Sequence, residues 1–318
     1  MLGRLAFTSV SMSDWKYYLN TRKREGFNAI QINILRQYDS TKPIPGRDPF
    51  PIRYHDDGTY EYDYSTFNEE YFDNAEKMLK EMRNLDMTPI LVLLWGNLVP
   101  NTWITDPNGF MARIPKPQTI GLKRSKLYVT YVINRFKKYH LIYFVTGDAG
   151  FDKNNSQDPE REEKYYQKVV RVAKSVDSEG IYSFHINGES KTLPESLAKQ
   201  AQFFSFQSGH GPTGEKVAVK IPLAKRSENY NGPIIDVELC YEGQKELGTL
   251  KPYDWRECLK FRGAENDKYF LVYNSIANPV DLSKLDVKDG QCKVIDLHTL
   301  RQLEGSIEDG IVTMESLV

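Results

Sequence analysis

At 318 residues, with 42 Lys and Arg against 43 Asp and Glu, the chain carries a formal net charge of −1. That balance excludes a basic nucleic-acid-binding surface, because the cations are spread along amphipathic segments such as 121–139 and form no stripe. The length suits one barrel-sized domain with a small appendage, and three dispersed cysteines, Cys240, Cys258 and Cys292, exclude a disulfide framework or a zinc site. No stretch reaches the length of a membrane span. The opening Met1-Leu2-Gly3-Arg4-Leu5 lacks the regions of a signal peptide, which leaves the location open: periplasmic or secreted if a leader has been removed, otherwise cytoplasmic.

Strands and helices alternate from the start. Leu5 to Val10 reads as a short apolar strand, Ser13 to Glu25 as an amphipathic helix capped by Ser13, and Gly26 to Ile32 as the approach to a second strand. Residues 37–67 form a long loop rich in Pro, Gly, Asp and Tyr, a length that usually signals function. From Asn68 a helix places Tyr71, Phe72, Ala75, Met78, Leu79 and Met82 on one face. Thr88 to Leu94 is a third strand, ending at Trp95-Gly96-Asn97. Helix 121–139 leads to the strand that ends at Asp148, helix 160–176 leads to Ile181–Ile186, and two further strands run through Phe203–Ser208 and Pro233–Glu238.

Seven strand-plus-connection units in succession predict an α/β fold, a TIM-type (β/α) barrel. From Lys268 onward the pattern changes to short strands at Tyr269–Tyr273, Gln291–Asp296 and Gly310–Met314, separated by turn residues. The expected organisation is a barrel domain over 1–264 and a small all-β appendage over 265–318.

Two strands run directly into carboxylates. Leu141-Ile142-Tyr143-Phe144-Val145-Thr146-Gly147 exits at Asp148, and Pro233-Ile234-Ile235-Asp236-Val237 exits at Glu238. Parallel sheets carry their chemistry at such exits. A pair of carboxylates from distant parts of one chain is the equipment for breaking a glycosidic bond. One carboxylic acid protonates the leaving oxygen, and burial with a like charge nearby favours its protonated form; the other carboxylate supports the anomeric carbon. For any single acid at a strand exit, a helix cap or a solvated end is the commoner role, so the weight rests on the pairing. Asp236, two residues before Glu238, shares its face of the strand and competes for its role.

Around the pair, Trp95 could stack on a sugar face and Asn97 could bind hydroxyls. Gln207 and His210 in Gln207-Ser208-Gly209-His210, His185 at the fifth strand exit, and Tyr241 just after Glu238 complete the candidate substrate contacts. No metal and no organic cofactor is expected.

Gly26-Phe27-Asn28-Ala29-Ile30-Gln31, the helix start at Asn68–Asp73, Trp95-Gly96, Thr146-Gly147-Asp148, Gln207–His210, and Asp236-Val237-Glu238 with Tyr241-Glu242-Gly243 together resemble the apiosidase-like family of (β/α)8 glycoside hydrolases. The resemblance covers roughly 5–245 and extends to a small C-terminal β-domain. It implies hydrolysis of a glycosidic bond in plant cell-wall polysaccharide side chains, with Asp148 at the position of the general acid/base and Glu238 at that of the nucleophile. Two departures stand out: Thr146 occupies a position where the family often has glycine, and only about twenty-five residues follow Gly243 before the C-terminal strands. An atypical or missing eighth strand is therefore expected.

The reading is a retaining glycoside hydrolase whose partner is a carbohydrate substrate, with neither nucleic acid nor a membrane span involved. The alternatives are a catalytically silent carbohydrate-binding barrel and a lyase on the same fold.

Overall fold

The computed structural model describes residues 7, 10–36, 46–56, 60–100, 102, 104–105, 119–153, 156, 158–209 and 214–238, and in the C-terminal part 261–262, 270–271, 280–281, 290–296, 301–309 and 311–314. The chain divides into two compact units, Met1–Glu242 and Gly243–Val318.

The first unit is a parallel sheet wrapped by helices. Strands β1 (Ala29–Asn33), β4 (Thr88–Trp95), β5 (Ile142–Gly147) and β6 (Ile181–Ser183) pair in that order, and β7 (Phe204–Gln207) pairs with β8 (Ile234–Glu238), all in parallel. Gln202 N donates to Tyr182 O at 2.9 Å and Ser183 Oγ to Phe203 O at 2.8 Å, so β7 follows β6 around the same wall. Strand order thus follows chain order, the arrangement of a (β/α) barrel. Of the expected first strand, only Phe7 and Val10 are described, and Phe7 is helical. The segment after Glu238 expected to hold an atypical eighth strand lies outside the described residues up to Phe261.

Helix α1 (Met12–Arg24) starts one serine earlier than Ser13. Ser11 is the N-cap in an extended conformation, and its Oγ accepts from Asp14 N at 3.1 Å. Asp14 in the first turn also suits the helix dipole, which makes Ser11 the better cap of the two serines. Helix α2 (Glu69–Asn84) buries all six residues of its predicted face. Helices α3 (Leu122–Phe136) and α4 (Pro159–Val176, capped by Asp158) lie against each other, and α5 (Glu195–Ala198) and α6 (Gly214–Ser227) complete the described helices.

Between β1 and α2 the long loop contains a hairpin, β2 (Ile52–Tyr54) with β3 (Tyr60–Tyr62). In the second unit, β11 (Val280–Asp281), β14 (Ile311–Met314), β13 (Arg301–Glu308) and β12 (Gly290–Asp296) form an antiparallel sheet, and β9 (Phe261–Arg262) pairs with β10 (Phe270–Leu271). The strand Arg301–Glu308, not expected from sequence, joins β12 and β14.

The core of the first unit is rich in aromatic rings. Phe72 is fully buried and contacts Phe67, Tyr71, Tyr131 and Phe136, joining the loop before α2 to α3. Replacing it with alanine removes a ring from a site framed by two helices that cannot close up. Phe72→Ala is expected to lower stability by about 3–5 kcal/mol, read as a fall in the urea midpoint of unfolding.

Candidate active site

The strand ends place the predicted residues on one rim, with Trp95, Asp148, His185, Gln207 and Glu238 all at or just past the C-terminal ends of β4 to β8. At the β5 exit, Trp95 stands beside Gly147 in register. A Cβ on Gly147 would lie 2.7 Å from Trp95 Cδ2, so the indole covers bare backbone there. The chain then turns sharply: Asp148 has φ +56°, a left-handed conformation that Asp tolerates better than most residues. Past the turn, pairing with the β6 side resumes, because Ala149 N donates to His185 O at 3.3 Å and Asn187 N donates to Ala149 O at 2.9 Å. Thr146, the residue in the glycine position, has a definite role here. Its Oγ1 donates to His185 O at 2.9 Å and fixes the β6 exit.

Asp148 is 8 % exposed, and its Oδ1 accepts from Gln207 Nε2 at 2.6 Å. Gln207 in turn stands opposite Glu238 because the β7–β8 register slips between Phe206 and Gln207: Phe206 pairs with Asp236, Gln207 with Glu238. That bulge skips Val237 and brings Glu238 up to the rim, as such irregularities do next to functional sites. Glu238 Oε2 lies 3.3 Å from His185 Nε2, a close polar contact without the alignment of a hydrogen bond. His185 is fully buried, with the Trp95 indole edge-on at 5.2 Å and 89°. The predicted residues therefore form a connected set, from Trp95 through His185 to Glu238 and, through Gln207, to Asp148.

Asp236 is differently placed. Its Oδ1 accepts from Ser208 N at 3.2 Å and Glu238 N at 3.4 Å, bridging the β7 and β8 exits. Burial pushes its carboxyl above the usual range, an effect its bonds to Ser208 and Glu238 and the nearby His185 reduce.

Asn97 is buried at the β4 exit and donates from Nδ2 to Arg36 O at 3.4 Å. It thereby touches a group the sequence reading passed over, the buried pair of Arg36, just past β1, with Asp48 at 3.2 Å, to which Tyr62 donates at 3.0 Å. His210 and Tyr241 lie outside the described residues. Among the described residues, no three of His, Cys, Asp and Glu gather as a metal-binding group, and no helix is long and apolar enough to cross a membrane.

Glu162, on the first turn of α4, is the other overlooked acid. It is 3 % exposed, and burial pushes its carboxyl up to about 8, with the nearby Ser156 hydroxyl and Gly150 amide opposing and the charge of Asp148 adding.

These arrangements match a known fold and family. A parallel strand-and-helix sheet with carboxylates at the strand exits is a TIM-type (β/α) barrel, and solved glycoside hydrolases share it. A glycoside hydrolase family 5 protein of Bacteroides vulgatus superposes with a TM-score of 0.54 at 19% identity, covering 76% of this chain and 48% of that one. A second structure, named as a glycoside hydrolase, gives 0.53 at 20% identity over 76% of this chain and 51% of its own. The chain thus spans about half the length of these structures. The chain belongs to the apiosidase-like family, matching its catalytic domain over residues 5–259. No curated protein matches the sequence.

Two outcomes follow from the packing and burial. Gly147→Ala forces a methyl group into the Trp95 indole and is expected to cost about 1–3 kcal/mol, seen as a lower thermal midpoint. The Glu162 carboxyl is neutral in the folded chain up to about pH 8 but ionises near its ordinary 4.5 when unfolded. Between those values the unfolded state binds fewer protons, so wild-type stability falls as pH rises from about 4.5 to about 8. Glu162→Gln removes that slope, and its stability relative to wild type is expected to rise by a few kcal/mol across the window in urea titrations at matched pH.

Proposed function

We propose that this chain is a retaining glycoside hydrolase acting on side chains of plant cell-wall or related polysaccharides, with Glu238 as nucleophile and Asp148 as acid/base. The observation that carries the reading is the single rim on which Gln207, bonded to Asp148 and in register with Glu238, ties the two carboxyl groups together. Membership of the apiosidase-like family supports a glycosidic substrate, and the cell-wall class is part of the proposal.

In the first step Glu238 Oε forms a bond to the anomeric carbon while the bond to the leaving oxygen breaks, and the Asp148 proton passes to that oxygen. In the second, the Asp148 carboxylate takes a proton from water, whose oxygen attacks the anomeric carbon and releases Glu238. Two inversions at one carbon give net retention. His185 holds Glu238 in place from the buried side, and the Trp95 ring keeps His185 from turning away. Gln207 does the same for Asp148. Asp236, whose Oδ1 is occupied by backbone donors, fits a supporting role beneath Glu238 better than the nucleophile's.

The test is kinetic and stereochemical. Glu238→Gln is expected to remove nearly all turnover of aryl glycosides and pectic oligosaccharides while keeping fold and sugar binding, because the amide cannot form the glycosyl ester. Asp148→Asn is expected to lose more on natural leaving groups, which need a proton, than on activated aryl ones. Proton NMR of the first-formed sugar should show the anomeric configuration of the substrate. An inverted product sinks the retaining mechanism, and full activity in Glu238→Gln moves the nucleophile to Asp236. Binding of oligosaccharides by wild type without any turnover would leave the silent carbohydrate-binding barrel, and an unsaturated uronate end group would mark a lyase.

A further inference from the structure

The β2–β3 hairpin has two chemically distinct faces. Cross-strand partners share a face, so the pairs Ile52 with Tyr62 and Tyr54 with Tyr60 put one aliphatic and three tyrosine side chains on the same side. The alternate pair, Arg53 with Glu61, makes an exposed ion pair at 3.4 Å on the other side, where His55 also approaches Glu61. Rings continue along the tyrosine side: Tyr54 to Tyr60 at 6.4 Å, Tyr60 to Tyr62 at 5.8 Å, Tyr62 to Tyr64 at 6.0 Å, and Tyr64 to buried Phe50 at 4.9 Å. The inner end of this row is fixed to the core. Its outer end is not covered, since Tyr54 is 55 % exposed.

The tyrosine side is turned toward the strand exits. Tyr62 Oη donates to Asp48, Asp48 pairs with Arg36 just past β1, and the Arg36 carbonyl accepts from Asn97 at the β4 exit. Tyr60, one step further out, lies close enough to Arg36 and Asp48 for both charges to act on its phenol, which burial pushes up. A surface of large rings with hydroxyl edges, continuous with buried polar groups at a catalytic rim, offers what a pyranose or furanose ring needs: an apolar face to stack on and polar partners at its edge. A protein partner would be met by a broader apolar area. Here the exposed part is one ring wide and backed by charge on the reverse side.

We propose that the tyrosine side of the β2–β3 hairpin, led by Tyr54 and Tyr60, is a carbohydrate subsite that stacks a sugar unit of the substrate chain away from the bond that is cleaved. The proposal rests on the glycoside hydrolase reading for the position of that bond. It does not rest on it for the binding itself. It also assigns a use to the long loop between β1 and α2 beyond covering the sheet.

The experiment pairs affinity electrophoresis in gels containing pectic polysaccharide with kinetics on oligosaccharides and on a monosaccharide aryl glycoside. Tyr54→Ala and Tyr60→Phe are compared with Arg53→Ala, on the opposite side of the hairpin. Tyr54→Ala is expected to weaken retardation and raise KM for oligosaccharides about three- to tenfold, with a smaller change on the aryl glycoside. Tyr60→Phe keeps the ring and should retain most of the binding, and Arg53→Ala should match wild type. Equal retardation and equal oligosaccharide KM in Tyr54→Ala and wild type would overturn the subsite while leaving the hydrolase reading intact. Retarded wild type that turns over no glycoside, with retardation lost in Tyr54→Ala, would uphold the subsite and overturn the hydrolase. Wild type that is neither retarded nor active would overturn both.

Discussion

The candidate site depends on one close approach, the Trp95 indole lying over the backbone of Gly147. The two residues are neighbours in the β4–β5 register, so a side chain at 147 would occupy the space the ring fills. With glycine there, the ring packs down at the rim and its edge meets His185. On the other side of His185, its Nε2 lies 3.3 Å from Glu238 Oε2. The same glycine precedes the left-handed turn that swings Asp148 out of the strand direction. A missing Cβ on one strand therefore positions groups on three others, and it does so through packing, which is less yielding than a hydrogen bond.

Charge and polarity at the rim are managed in pairs. Arg36 and Asp48 are both removed from water, a costly arrangement that holds because each charge meets the other and Tyr62 adds a donor. Asp148 is buried, and the Gln207 amide that donates to its Oδ1 fixes the direction of the carboxyl group. Near it, burial pushes the Glu162 carboxyl up to about 8, which disfavours a negative charge at that position. Among the described residues, Trp95 Nε1, Asn97 Oδ1 and Asn187 Oδ1 are buried without a hydrogen-bond partner at or past strand ends, and Asp236 Oδ2 is so within β8. Structural polar groups are normally paired; those retained otherwise concentrate where function needs them.

What the sequence made legible was whatever local periodicity encodes. The buried face of α2 follows from a 3.6-residue spacing, and the exits at Trp95, Asp148 and Glu238 follow from apolar runs ending in polar residues. The hairpin Ile52–Tyr54 with Tyr60–Tyr62 had a signal, alternating residues about Asp57-Gly58, that the length of the surrounding loop obscured. Ser11 displaced Ser13 as a cap because two serines two residues apart look alike until the position of the first turn is known. Arg36 with Asp48, and Glu162 beside Asp148, were out of reach for a different reason. A charged residue in a sequence looks solvated, and only the packing of other elements around it shows that it is buried.

The relation of Asp236 to Glu238 shows how far period-two reasoning goes. Residues two apart on a strand share a face, so the sequence alone left both acids eligible. The break in register at Gln207 resolves their geometry: Asp236 stays opposite Phe206 inside the regular ladder, where backbone donors reach its carboxylate, while Glu238 is carried past the extra residue to the level of Gln207. A bulge depends on both strands at once, and neither strand's sequence announces it. Chemistry at a barrel rim is therefore decided by pairing between strands, after composition and periodicity have only narrowed the candidates.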